Sequence, residues 1–238
     1  AKNPRLTSAV MEDMGFVIFR QDYGRKTEDY FIATAGGANL INSHQNNDRG
    51  AFSLFIDNTP MALDPGIGAY TDGSGEWYST STAHNMVSYH DNSGKELSLD
   101  EKAGTIEAFQ TTALVDYTKM GVPDNSQVQT HKRNFAFVKG GFDMLLISDS
   151  IEMKNPYQSR INFNTMSTGV SLNGNTATAT CYNNKELDIT VLEPKNAEFD
   201  VLTRGLISGN YPAFGDMSGR QDHLQVKNQS DGDYFSVL

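Results

Sequence analysis

The chain has little of what marks a disulfide-stabilised, membrane-spanning or nucleic-acid-binding protein. A single cysteine, Cys181, excludes an internal disulfide and any metal site built from several cysteines. No hydrophobic run is long enough to span a membrane, so we expect no membrane insertion. The formal net charge is -10 and the basic residues are scattered, so we also expect no nucleic-acid partner.

Short apolar segments separated by turn residues fill most of the 238 residues. Alternation places Phe52, Leu54 and Ile56 on one face of a strand. Helical periodicity is lacking, and only the first dozen residues and residues 98–104 could form a short helix. The pattern predicts an all-β fold, in which residues 1–238 form a single large antiparallel β-sandwich domain with little helix.

Three polar segments carry residues that are suited to chemistry. The first contains His44 and Asn46, the second Asp64, and the third His84 and Asn85. His44, Asp64 and His84 follow one another at intervals of twenty residues, which lets strand ends meet at one place. The cluster could hold a divalent metal, or His44 could act as a general base. The alternative is structural: His44 and Asn46 cap a turn, Asp64-Pro65-Gly66 forms a β-turn, and His84 packs in the core.

Aromatic residues follow the second polar segment. Tyr70, Trp77 and Tyr78 could stack on sugar rings or simply cover the loop. The stretch GIGAY within this loop lacks the helix and glycine spacing of a phosphate-binding loop, so we expect no organic cofactor. The remaining histidines and the cysteine are expected to be structural: His90, His131, His223 and Cys181.

The order of these segments resembles the β-sandwich domain of heparinase II/III-like polysaccharide lyases. A histidine, His44, precedes the motif Asp-x-Gly-x-Phe at residues 48–52. Asp-x-Gly follows at residues 64–66, and a His-Asn pair opens a later strand at residues 84–85. The later stretch THKRNFAFVKGGFDMLLISDSIE is also similar to a strand pair of that family. The likeness extends over most of the chain.

The resemblance implies one part of a two-part enzyme. In this family an N-terminal α/α toroid of helices, absent from this chain, is followed by the β-sandwich, and an acidic polysaccharide binds between them. The implied reaction is β-elimination on a uronate-containing polysaccharide of the heparan-sulfate, glycosaminoglycan or alginate type. The resemblance also implies a periplasmic or secreted bacterial protein.

The resemblance assigns roles to individual residues. It implies that His44 lies at the catalytic cleft, where it helps to neutralise the substrate carboxylate or to transfer a proton. It implies that Asp64 and His84 bind a structural metal, often zinc, whereas a tyrosine acid/base comes from the toroid. Many relatives carry a second histidine where this chain has Asn46. That amide makes Asn46 a third metal-ligand candidate and favours calcium, weak binding or no metal over zinc. In this respect the chain is nearer to the heparan-sulfate-lyase branch.

The leading hypothesis is the sandwich domain of a polysaccharide lyase, with Tyr70, Trp77, Tyr78 and Asn85 binding substrate. Because the family's tyrosine and half of the cleft come from the toroid, we expect the isolated chain to fold but to be inactive. A second hypothesis is a non-catalytic carbohydrate-binding or scaffold sandwich that uses the same aromatic residues. A third is a metal-dependent enzyme of another kind, in which His44, Asp64 and His84 bind a metal that activates a water.

Overall fold

The computed structural model places the chain in two packed antiparallel β-sheets. It describes residues 8–36, 46–66, 74–98, 102–123, 128–203, 210–211, 215–216, 221–227 and 234–238. His44 and Tyr70, two of the candidate site residues, lie outside these ranges.

The described part of the chain contains nineteen strands. The first ten are β1 (Ala9–Met11), β2 (Phe16–Gln21), β3 (Asp29–Thr34), β4 (Phe52–Ile56), β5 (Thr59–Ala62), β6 (Val87–His90), β7 (Thr105–Thr111), β8 (Val115–Val122), β9 (Val128–Val138) and β10 (Met144–Met153). The others are β11 (Gln158–Thr165), β12 (Ser167–Asn173), β13 (Thr176–Cys181), β14 (Glu186–Glu193), β15 (Phe199–Thr203), β16 (Asn210–Tyr211), β17 (Gly215–Asp216), β18 (Asp222–Lys227) and β19 (Tyr234–Val237).

Helical structure in the described ranges is limited to short elements. They are the helix α1 (Ser74–Tyr78) and the 3₁₀ turns Glu12–Met14, Ser81–Ala83 and Tyr182–Asn184. The all-β prediction is therefore confirmed, although α1 lies in a segment that the sequence indicates as a loop. None of the described helices has the length and hydrophobicity that crossing a membrane requires.

The strands form two large sheets and one two-stranded ribbon. The first sheet, sheet A, runs β1-β2-β3-β4-β5-β11-β18-β15, and β6 also pairs with β11. The second, sheet B, runs β12-β13-β14-β19-β10-β9-β8-β7, whereas β16 pairs with β17. The pairings between the described strands are antiparallel, as expected for hairpin-connected strands.

Two strands share one edge of β11, and this arrangement creates the candidate site. Ala62 at the end of β5 pairs with Thr165, whereas Val87 at the start of β6 pairs with Ile161. Between them the edge of β11 is satisfied by loop backbone, since Asn162 N donates to the Met86 carbonyl at 2.9 Å. Asp64 and His84 therefore arrive at the same interruption in the sheet.

Aromatic side chains fill the space between the sheets. Phe31 of sheet A lies 4.9 Å from Phe135 of sheet B, and Phe19 lies 6.4 Å from Phe137, measured between ring centroids. Phe52 packs edge-on against Phe135 at 5.7 Å. The predicted inward face of β4 is confirmed, and each such ring removes a large apolar area from water.

Candidate functional site

The centre of the candidate site is a hydrogen-bonded pair of Asp64 and His84. His84 Nδ1 lies 2.7 Å from Asp64 Oδ2. His84 is fully buried, whereas the Asp64 side chain keeps 30% of its surface exposed. The twenty-residue spacing thus corresponds to real proximity, because β5 ends where β6 begins.

His84 uses both ring nitrogens. Nε2 donates to the Tyr78 carbonyl oxygen at 3.0 Å, since a carbonyl can only accept. Nδ1 faces the Asp64 carboxylate, so the arrangement suits an imidazolium that donates from both nitrogens. Burial lowers the pKa of His84, but the hydrogen bond and charge of Asp64 and the charge of Asp48 outweigh it and raise the pKa.

A second carboxyl group, Asp48, lies beside this pair. Burial raises the pKa of Asp48; the His84 charge lowers it, and the Asp64 charge raises it again. Two carboxyl groups near one imidazolium leave the cluster with an excess of negative charge when both are ionised. The net result is a raised pKa for Asp48, so this carboxyl binds a proton more readily than a solvated aspartate does.

Asn46 reaches the turn that carries Asp64. Its Nδ2 donates to the Gly66 carbonyl at 3.4 Å, while Gly66 N donates to Asp64 Oδ1 at 2.9 Å. Gly66 has φ +74°, a conformation that suits glycine. Asp64 N donates to Ser53 Oγ of β4 at 3.1 Å, which ties the turn to sheet A. The Asp-Pro-Gly segment is therefore a hydrogen-bonded turn, as the structural alternative expects.

The described residues do not fit a bound metal in this arrangement. Within the ranges that the structure covers, no three His, Cys, Asp or Glu side chains are grouped to hold an ion. His84 has no ring nitrogen left over, since Asp64 and the Tyr78 carbonyl take both. Metal binding by Asp64, His84 and Asn46 stays a prediction.

The two described aromatic candidates lie against the same site. Trp77 and Tyr78 of α1 pack edge-on at 5.2 Å between ring centroids, and the Trp77 ring is 5.8 Å from that of His223. Trp77 is partly exposed, whereas Tyr78 is buried and supplies its carbonyl to His84. Trp77 is therefore the better placed of the two to contact a ligand.

Asn85 serves the backbone of its neighbours. Its Nδ2 donates to the Phe52 carbonyl at 2.8 Å, and its Oδ1 accepts from Asn164 N at 2.5 Å. The side chain is completely buried. This geometry favours a structural role for Asn85, which joins β4 to β11 behind the site, over direct contact with substrate.

Arg133 is a site-supporting residue that the sequence analysis missed. Its Nη1 donates to the carbonyls of Gly50 at 2.9 Å and Asn85 at 3.3 Å, so one guanidinium holds both polar segments. It is completely buried, and burial lowers its pKa while the Asp149 charge raises it. Alternation along β9 could have indicated the burial of Arg133, because residues 133 and 135 share one face of the strand and Phe135 points inward.

The same buried network continues through a histidine. His131 Nε2 lies 2.7 Å from Asp149 Oδ1, its Nδ1 lies 2.6 Å from the Tyr89 hydroxyl, and Arg133 Nε lies 3.3 Å from Asp149 Oδ1. The predicted structural role of His131 is confirmed. Cys181 is also a buried core residue, and burial raises the pKa of its thiol to about 12.

Glu96 is a second supporting residue without a sequence signal. Its Oε1 accepts hydrogen bonds from Ser81 N at 2.7 Å and Thr82 N at 3.3 Å. These bonds fix the 3₁₀ turn directly before His84. Burial raises the pKa of Glu96, although hydrogen bonds from Thr82 and Ser81 lower it.

Comparison with known proteins gives one family and several similar structures. A family model described as "Heparinase II/III-like, C-terminal" matches residues 3–213. The fold is similar to a heparan sulfate lyase HepC mutant from Pedobacter heparinus, with a TM-score of 0.78, 15% identity and coverage of 100% of this chain and 36% of that chain. It is also similar to a heparinase III structure, with a TM-score of 0.76, 16% identity and coverage of 100% of this chain and 37% of that chain.

The chain thus spans little more than a third of the length of these solved structures. At such identities the structural likeness shows the fold. No curated protein matches the sequence significantly.

Proposed function

Because the chain belongs to the heparinase II/III-like family, in the C-terminal part that the family model describes, we propose that it is the β-sandwich domain of a polysaccharide lyase. The proposed reaction is β-elimination on a uronate-containing glycan. The observation that carries the proposal is the 2.7 Å contact between Asp64 and His84 at the interruption between β5 and β6, which Asn46 of the His44 motif segment reaches through the Gly66 carbonyl.

β-Elimination makes three demands on the protein. The uronate carboxylate must be neutralised so that the C5 proton becomes acidic, a base must remove that proton, and an acid must protonate the departing O4. We assign the cleft contact with the substrate, either neutralisation or proton transfer, to His44. The acid that protonates O4 is assigned to a helical domain of the same polypeptide, so this chain alone is proposed to be inactive.

Asp64 and His84 act as positioning residues in this proposal. His84 is fully buried and both of its nitrogens are engaged, so it cannot accept a proton from a substrate. It instead fixes Asp64, and Asp64 fixes the turn at Gly66 that the Asn46 amide contacts. This chain of contacts holds the segment that follows His44 against the end of β5.

A heparan-sulfate-type glycosaminoglycan is the proposed substrate class. One observation supports it: the similar solved structures include a heparan sulfate lyase. The family resemblance agrees with it, since Asn46 occupies the position at which that resemblance implies a second histidine in many relatives. A periplasmic or secreted location is proposed with it, since such polysaccharides are met outside the cytoplasm. Alginate is kept as the competing substrate in the test.

The test is His44→Ala in the full-length protein that contains this chain. We expect turnover of heparan sulfate, followed by the ultraviolet absorbance of the unsaturated uronate product, to fall by at least about 10²-fold while the unfolding midpoint stays unchanged. Asn92→Ala, in an exposed turn, is the matched control and should retain full turnover. Unchanged turnover in His44→Ala would refute the assignment and favour a non-catalytic carbohydrate-binding sandwich. Faster turnover of alginate would refute the substrate class.

A further inference from the structure

A row of side chains crosses the outer face of sheet A, away from the candidate site. In the strand register, Tyr30 of β3 lies directly opposite Arg20 of β2 on one side and Phe55 of β4 on the other. Their sequence neighbours Phe19 and Phe31 point into the core, so the row lies on the opposite face. An outer sheet face usually carries polar residues, which makes this row notable.

Two turns convert the row into a cavity of about 720 Å³. Tyr23 enters from the turn between β2 and β3, and Tyr182 and Asn183 enter from the 3₁₀ turn before β14. The volume lies within the range of about 300–1,000 Å³ that is typical of small-ligand sites. The turn beneath it is anchored, since Asn58 Nδ2 donates to the Arg25 carbonyl at 2.8 Å.

The rings of the cavity are held in place before any ligand arrives. The Arg20 guanidinium carbon lies 4.8 Å from the Tyr23 ring centroid and 4.9 Å from that of Tyr30. Tyr30 and Phe55 pack at 5.5 Å between centroids. Tyr23 is nevertheless 44% exposed. A cation between two rings fixes their orientation, which reduces the entropy lost when a ligand binds.

The charges around the cavity are already matched. Arg20 Nη1 lies 3.7 Å from Glu28 Oε1, and Lys185 Nζ lies 2.6 Å from Asp57 Oδ2. Among the described residues that line the cavity, the basic side chain is Arg20, and its pairing with Glu28 leaves it poorly suited to neutralise a sulfate or carboxylate. The paired carboxylates and the Asn183 amide can instead accept from, or donate to, hydroxyl groups.

The cavity is separate from the site at Asp64. Thr59 lines the cavity at one end of β5, whereas Asp64 follows the other end. Five residue steps along an extended strand span about 17 Å. The cavity and the Asp64 site are therefore separated by about the length of one strand.

We propose that this outer-face cavity is a second saccharide-binding site, which takes an uncharged pyranose with equatorial substituents, such as N-acetylglucosamine. Such a ring presents axial C–H bonds on a flat apolar face, which packs on an aromatic ring, and hydroxyl groups around its edge. Aromatic rings with a few placed polar groups match both parts. A packed protein domain would bury these ion pairs at a cost, which favours the saccharide. The proposal does not require lyase activity.

The test is calorimetric titration of the 238-residue chain with a neutral oligosaccharide of N-acetylglucosamine, which contains no uronate to occupy a lyase cleft. We expect binding, and about tenfold weaker binding by Tyr23→Ala, because one stacking ring is lost. Tyr23→Phe keeps the ring and should bind within about threefold of the original chain. Tyr23 lies on a turn and is exposed, so Tyr23→Ala should stay folded, with the unfolding midpoint lowered only slightly by loss of the ring contact with Arg20.

Tyr157→Ala is the matched control, since Tyr157 is a partly exposed tyrosine on the connection between β10 and β11. Its affinity should equal that of the original chain. The proposal is overturned if the original chain does not bind the oligosaccharide, if Tyr23→Ala binds as well as the original chain, or if a sulfated oligosaccharide binds through Tyr23 more tightly than the neutral one. Failure of the lyase proposal would leave this binding intact, because different residues and assays are involved.

Discussion

Two histidine–aspartate pairs of equal length lie in different parts of the sandwich. In the edge pair, His84 lies 2.7 Å from Asp64, and Asp64 keeps part of its side chain exposed. In the core pair, His131 lies 2.7 Å from Asp149, and both side chains are almost wholly inaccessible. Arg133 adds a cation 3.3 Å from the carboxylate of the core pair.

The difference lies in what balances the carboxylate. A buried carboxylate is tolerated when cations and hydrogen bonds compensate it, and Arg133 does so for the core pair. The edge pair has instead a second acid, Asp48, and contact with water through Asp64. The same distance therefore has two consequences. The core pair joins β9 and β10 within sheet B, and its bond to the Tyr89 hydroxyl reaches sheet A. The edge pair is partly exposed, so its stability can depend on pH.

The largest expected effect comes from removing the cation of the core pair. Arg133→Met keeps much of the volume but leaves Asp149 buried beside His131 and removes the donor to the Gly50 and Asn85 carbonyls. We expect the free energy of unfolding to fall by about 3–5 kcal/mol, measured by urea denaturation. The match for this change is Arg25→Met, whose exposed ion pair with Asp22 should be worth less than about 1 kcal/mol. If both variants lost the same free energy of unfolding, the buried Arg133–Asp149 ion pair would stabilise the fold no more than an exposed pair does.

A smaller effect should appear as pH dependence of the edge pair. The pKa of His84 is raised in the folded protein by Asp64 and Asp48 against the effect of burial. The stabilisation is then fully present below the unfolded pKa of about 6.5 and is lost as the pH rises through the folded pKa. We expect the free energy of unfolding to decrease with rising pH above about 6.5, and this slope to shrink in Asp64→Asn.

The measurement must be separated from His90, which titrates in the opposite sense. Burial, helped by the Arg160 charge, lowers the pKa of His90 to about 4, so its contribution is lost as the pH falls from about 6.5 toward 4. Above about 6.5 His90 is neutral in both states, and that window reports His84. A slope above 6.5 that Asp64→Asn leaves unchanged would contradict the edge-pair assignment.

The sequence predicted the sandwich, and alternation placed Phe52, Leu54 and Ile56 on one face of β4, which lies in the core. The spacing of the polar segments allowed strand ends to meet, and the structure brings Asp64 to His84 and Asn46 to the turn after Asp64. The helix α1 was missed because five residues are too short to show a 3.6-residue period. The strand β12 gives little sequence signal, because it is a mostly exposed edge strand without a clear apolar alternation.

The network around Arg133 was harder to foresee for a different reason. A charged residue on the inward face contradicts the usual pattern, so its alternation with Phe135 is easily set aside. Its partners Gly50 and Asn85 lie 83 and 48 residues away, and no local signal links them. The roles of His44 and Tyr70 stay predictions, since both lie outside the described residues.

The smallest expected effect is that of metal removal, and it tests whether the edge pair is a metal site or a hydrogen-bonded ion pair. A metal on His84 would displace either Asp64 or the Tyr78 carbonyl from a ring nitrogen, at a cost of about 1–3 kcal/mol for a buried group left unpaired. We therefore expect dialysis against a chelator, or added zinc or calcium, to change the free energy of unfolding by less than about 0.5 kcal/mol. Stoichiometric metal that is lost in both Asp64→Asn and His84→Gln would contradict this expectation. It would also mean that one His84 ring nitrogen gives up its hydrogen bond and coordinates the metal instead.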